Sequence, residues 1–218
     1  MFYNPAIAPR GIKSRGDFKL VGTTGLVTVV TGGAGHDIVS FRWASILYDC
    51  VIWYVKWYFY VTTGFTAGQE VQHSLYRARG WSVSPSGATS LLPAVGEQMK
   101  NPEMADSALT AFQISAAAEI TTPGTRTLDA LPLQTRGLWC PTTTIVQQTD
   151  AFAPPDGYLL YLHAPTAAGA QGFVLQNDIT MGAAGVIKLN FEVAWSEVAL
   201  GSLRADDSNY SGSYFAGQ

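Results

Sequence analysis

The stretch VIKLNFEVAWSEV, residues 186–198, decides the fold. Ile187, Leu189, Phe191, Val193 and Trp195 recur at every second position, and Lys188, Asn190, Glu192 and Ser196 stand between them. Only a strand separates neighbouring side chains onto opposite faces with period two, so this segment is a strand with one dry face and one wet face. Its length and the bulk of its apolar set predict a central strand buried against a second sheet.

A second stretch carries the same signal more densely. In VIWYVKWYFYV, residues 51–61, the period places Val51, Trp53, Val55, Trp57, Phe59 and Val61 on one face. Ile52, Tyr54, Lys56, Tyr58 and Tyr60 take the other. Tyrosine joins an apolar body to a polar tip, a combination that suits the margin of a dry contact between proteins. Tyr54, Tyr58 and Tyr60 are therefore candidate interface residues. The apolar run that contains them, residues 46–61, is too short for a spanning helix and is broken by Asp49 and Lys56.

Working outward, β signals also fall at residues 26–31, 38–47, 71–83, 112–120, 158–163 and 172–180, separated by Gly, Pro and Ser. Residues 125–133 read as extended, and residues 134–157 as loop. The short turn at 182–185 predicts that residues 172–180 and 186–198 form a hairpin. Asn101-Pro102 is a helix-start signal, giving one short helix over 103–110. Many short strands and hardly any helix predict an all-β chain, an antiparallel β-sandwich or jelly-roll-like barrel over residues 20–198. Residues 1–19 read as an extended, locally basic N-terminal arm with Arg10, Lys13 and Arg15, and residues 199–218 as a C-terminal tail with aromatic anchors at Tyr210, Tyr214 and Phe215.

The composition limits what this fold does. Charged residues make up 13% of the 218, about half the usual share, and the net charge is −3. A dedicated nucleic-acid binder needs a basic excess to displace counterions, so none is expected as a partner. Membrane partners are not expected either, and no apolar signal segment opens the chain. Cys50 and Cys140 are too few for a disulfide framework and read as small buried hydrophobes.

The chemical motifs are sparse. VTVVTGGAG, residues 27–35, resembles the dinucleotide-binding turn of short-chain dehydrogenases, but its third glycine position is Ile38 and strands, not a helix, follow. His36, His73 and His163 have no metal-ligand spacing, and no serine sits in a nucleophile elbow. Neither a cofactor nor a catalytic residue is predicted.

Three segments, AEITTPGTRTLD at 118–129, GFVLQN at 172–177 and FEVAWSEV at 191–198, together with the low charge and terminal arms, resemble small structural proteins of the head of tailed bacteriophages. The resemblance implies a virion protein assembled in the host cytoplasm: a cement, decoration or minor capsid subunit, often a trimer, that binds copies of itself and a major capsid protein. The alternative is a tail- or fibre-like module that recognises a host surface glycan through exposed Trp and Tyr.

Overall fold

In a computed structural model of the chain, the residues described are 14–29, 35–91, 98–99, 106–120, 122–142, 147–152, 160–167, 169–179 and 183–200. They form two antiparallel sheets facing each other as a sandwich; the sheets do not close into a barrel. Sheet A has the order β11–β4–β14–β1–β7, with β12 also on β4 and β2 on β14. Its strands are β1 (Ser14–Thr23), β2 (Val27–Val29), β4 (Tyr48–Thr63), β7 (Gln98–Met99), β11 (Gln147–Phe152), β12 (Leu160–Leu162) and β14 (Gly185–Ala199). Sheet B has the order β10–β5–β13–β3–β8–β6, with β9 also on β5. It comprises β3 (His36–Trp43), β5 (Gln69–Trp81), β6 (Thr89–Ser90), β8 (Ala111–Ile114), β9 (Thr127–Leu128), β10 (Gln134–Cys140) and β13 (Ala170–Asn177).

The alternation of residues 186–198 is realised as expected. β14 lies between β4 and β1, and Ile187, Leu189, Phe191, Val193 and Trp195 are all buried. An aromatic seam joins the sheets: Phe18 stacks on Trp195 at 5.6 Å, Trp195 meets Phe41 edge-on at 5.7 Å, and Phe41 stacks on Phe173 at 4.7 Å. Such pairs add about 0.5–1.5 kcal/mol each beyond their burial. Cys50 and Cys140 are buried free thiols, and burial pushes Cys140 up to about 11, which keeps it protonated and inert.

Several local expectations are corrected. β13 and β14 are not a hairpin: β13 belongs to sheet B and β14 to sheet A. Both edges of β14 are taken by β4 and β1, and the connection at 178–184 is long enough to cross the ~10 Å between packed sheets. Residues 134–157 are not all loop, since β10 and β11 form there, each paired along one side. Residues 106–110 are not helical, and the rest of the expected helix lies outside the described residues. The expected strand at 112–120 stops at Ile114, and within the stretch read as extended, 125–133, Thr127–Leu128 form a short strand. β1 begins inside the stretch assigned to the N-terminal arm and runs antiparallel to β14, and Ala199 is still strand.

In β4 the period slips at Trp53. Tyr54 pairs with Ala194, whereas Ile52 pairs with the next residue, Trp195. Two residues of β4 thus span one step of β14, a β-bulge that reverses the phase behind it. Cys50 and Ile52 enter the core, and Trp53, expected on the dry face, turns outward to donate from Nε1 to Ser196 Oγ at 2.5 Å.

Candidate functional site

Three buried carboxylates fix the loops around this frame. Glu197 follows the inward parity of β14 and is fully buried. It accepts from Ser107 Oγ at 2.5 Å, from the Ala108 amide at 2.9 Å and from Trp195 Nε1 at 3.3 Å, which ties residues 107–108 to sheet A. Asp49 accepts from the Ala164 amide at 2.7 Å. Asp37 accepts from Ser40 Oγ at 2.7 Å, Gln176 Nε2 at 2.7 Å and Arg126 Nη2 at 2.6 Å.

The Arg126 contact explains the run GTRTLD. Ile120 bridges to Asp37 at the edge of β3, and Leu128 pairs with Ala78 on β5. Residues 122–128 therefore strap the outer face of sheet B across β13. Gly124 turns the strap at φ +79°, where a Cβ would strike the Val83 carbonyl. Trp81 Nε1 donates to the Pro123 carbonyl, and the Arg126 guanidinium lies 5.2 Å from the Trp81 ring. Asp129 closes the strap on Arg79 at 2.8 Å.

Beside the strap, a cavity of about 330 Å³ is lined by His36, Glu119, Ile120 and Pro123 among others. His36 Nδ1 lies 2.7 Å from Glu119 Oε2. Burial pushes the Glu119 carboxyl up, against the pull of His36. Among the described residues no group of three or more His, Cys, Asp or Glu is placed to hold a metal ion. The glycine-rich segment at 27–35 leads into strand β3, so the helix N-terminus that a dinucleotide pyrophosphate needs is not there.

Three of the residues singled out in the sequence as contact-forming, Tyr54, Tyr58 and Tyr60, lie on the outer face of sheet A. Tyr54, Lys56, Tyr58 and Tyr60 project from β4 on the side away from the core, and each is half-buried. Their cross-strand neighbours on β14 are Ala194, Glu192, Asn190 and Lys188, with Lys19, Val21 and Thr23 beyond on β1. Glu192 is the hub. It accepts from Tyr54 Oη at 2.5 Å and from Lys19 Nζ at 2.8 Å. Lys56 Nζ lies 4.6 Å from the Tyr54 ring. Burial alone would raise Glu192, but hydrogen bonds from Lys19 and Tyr54 and the nearby lysine charges hold it below the usual carboxylate range. Tyr54 is driven well up, by burial first and then by its bond to Glu192, so it stays a donor. Tyr54 is thus fixed inside one chain. The hydroxyls of Tyr58 and Tyr60 meet no described partner.

Of the other candidates, Arg15 lies in β1. Arg10, Lys13, Tyr210, Tyr214 and Phe215 lie outside the described residues.

No known protein family matches the chain, and no curated protein does. Among solved structures, one described as the structure of infectious bursal disease virus Gx strain is similar at 11% identity and a TM-score of 0.16, over 97% of this chain and 51% of that one. The chain spans about half the length of that neighbour, and a likeness at this score carries no argument. No helix among the described residues is long and apolar enough to cross a membrane.

Proposed function

We propose that this chain is a non-enzymatic structural subunit of a virion: a cement, decoration or minor capsid protein of a bacteriophage head that stabilises the shell by contacts between chains. The observation that carries the reading is the row Tyr54, Tyr58 and Tyr60 on the outer face of sheet A. A side chain with an apolar ring and an unengaged hydroxyl gains most when a partner covers the ring and accepts or donates at its tip. Tyr58 and Tyr60, whose hydroxyls make no hydrogen bond to a described residue, fit that role, while the Glu192 network holds the surface between them and β1 in one shape. The low charge of the chain suits a surface largely covered by neighbours.

The partners in this reading are further copies of the chain, assembled as a trimer, and a major capsid protein; assembly takes place in the host cytoplasm. In this reading Arg10 and Lys13 at one end and Tyr210, Tyr214 and Phe215 at the other supply arms that reach a neighbouring subunit, while Arg15 sits in β1 at the root of the first arm. The test is Tyr58→Ala in the full chain. Sedimentation should show weaker self-association, by about 2 kcal/mol or more for an interface anchor, with an unchanged unfolding midpoint. Unaltered association and undiminished incorporation into particles would contradict the reading.

A further inference from the structure

The outer face of sheet B, opposite the tyrosine row, carries a different feature at the β10–β5 edge. Trp139 is 65% exposed, although tryptophan is the side chain with most to gain from burial. Its register partner on β5 is Glu70, so the two project from the same face. Both are bedded on glycines. A Cβ built at Gly68 would lie 3.3 Å from Cζ2 of Trp139, and one built at Gly137 would lie 2.5 Å from Oε1 of Glu70. The indole therefore leans over bare backbone at one glycine, and the carboxylate leans over bare backbone at the other. Trp139 leaves an indole face open, and Glu70 makes no hydrogen bond or ion pair to any described residue. Further along the same face, Gln72 Nε2 donates to Asp178 Oδ2 at 3.2 Å, and Asp178 also accepts from Ser74 and Tyr76. Those groups are already paired and form a polar floor.

An open aromatic plane beside an unpaired acceptor matches a ligand with one apolar C–H face and a rim of hydroxyl donors. We propose that Trp139 and Glu70 form a binding site for a neutral pyranose oligosaccharide, with a sugar ring stacked on the indole and its hydroxyls donating to the Glu70 carboxylate. A flat apolar partner would leave Glu70 desolvated and unpaired, which is costly, whereas a sugar hydroxyl satisfies it. Because this patch is on the opposite sheet from Tyr58, a molecule seated through sheet A still presents it. The site does not depend on the shell reading.

The test is saturation-transfer NMR on the full chain with cellotriose, maltotriose, lactose and chitotriose. At least one should receive saturation at its ring C–H protons. Trp139→Ala should abolish the transfer, Trp139→Phe should retain a weaker one, and Gly137→Ala, which displaces the Glu70 carboxylate, should weaken binding with the indole still in place. Trp139 is exposed, so unfolding midpoints should not move with its replacement. No transfer to any of the four sugars, or transfer that survives Trp139→Ala, overturns the proposal. So does a change in oligomeric state on Trp139→Ala without any sugar binding, which would make Trp139 an anchor between chains.

Discussion

Arg126 and Asp37 form a buried ion pair, with Nη2 2.6 Å from Oδ1 and side chains 7% and 0% exposed. Burial raises Asp37 and lowers Arg126, so for both groups desolvation outweighs the attraction between them. A buried pair of this kind contributes little net stability. Its effect is to select one placement of the strap, because any other arrangement strands a charge in the interior.

Removing one partner should therefore cost far more than removing both. Arg126→Ala is expected to destabilise the chain by about 3–5 kcal/mol, the usual penalty for an uncompensated buried charge. The double replacement Arg126→Met with Asp37→Leu should recover most of that loss. Urea unfolding of the three proteins checks it, and additive losses would contradict the assignment.

His73 provides a pH prediction. It is buried, with its ring 4.5 Å from that of Phe59 and no partner for Nε2, and burial lowers it to about 4. Above about pH 6.5 the imidazole is neutral in both folded and unfolded chains, and its contribution to stability is complete. As pH falls toward 4, the unfolded chain takes up a proton that the folded chain refuses, so stability drops, by about 3 kcal/mol in all. The raised carboxyl of Glu119 acts with the opposite sign, gaining stability as acid neutralises it in the fold. The comparison must therefore be between the parent and His73→Leu. The parent should lose stability relative to the variant between pH 6.5 and 4, and parallel curves would refute a buried neutral imidazole.

Glu197 predicts a local effect. Its carboxylate occupies the Ala108 amide through both oxygens, at 2.9 and 3.1 Å. Glu197→Gln keeps an acceptor but loses the charge and should cost about 1.5–3 kcal/mol, the range for hydrogen bonds to a charged group. Hydrogen exchange at Ala108 should accelerate more than at Leu189 in the core of β14. Equal changes at both sites would mean that the clamp is not local.

What was legible in the chain follows from the range of the forces involved. Alternation in β14 and in the second half of β4 is a local consequence of burying one face, and it is plain in the residues themselves. The bulge at Trp53 is not, because nothing in VIWYV states that β14 will advance one step while β4 advances two. β10 and β11 escaped because each follows one side of a longer strand, where polar residues and glycine are tolerated and periodicity fades. Leu138 and Cys140 facing inward around an exposed Trp139 were the available signal. The tyrosine row was readable from spacing alone. The Asp37–Arg126 pair and the Trp139–Glu70 pairing were not, since each joins residues far apart in the chain.

The most direct test of the central claim is hydroxyl-radical footprinting of the full chain, dilute and in assembled particles, read at individual aromatic residues. Tyr58 and Tyr60 should be labelled readily in the dilute chain and strongly protected after assembly. Tyr54, already bonded to Glu192, should change less, and Trp139 should stay labelled throughout. Equal labelling of Tyr58 and Tyr60 in both states would show that the outer face of sheet A meets no partner, and the shell-subunit account would fail.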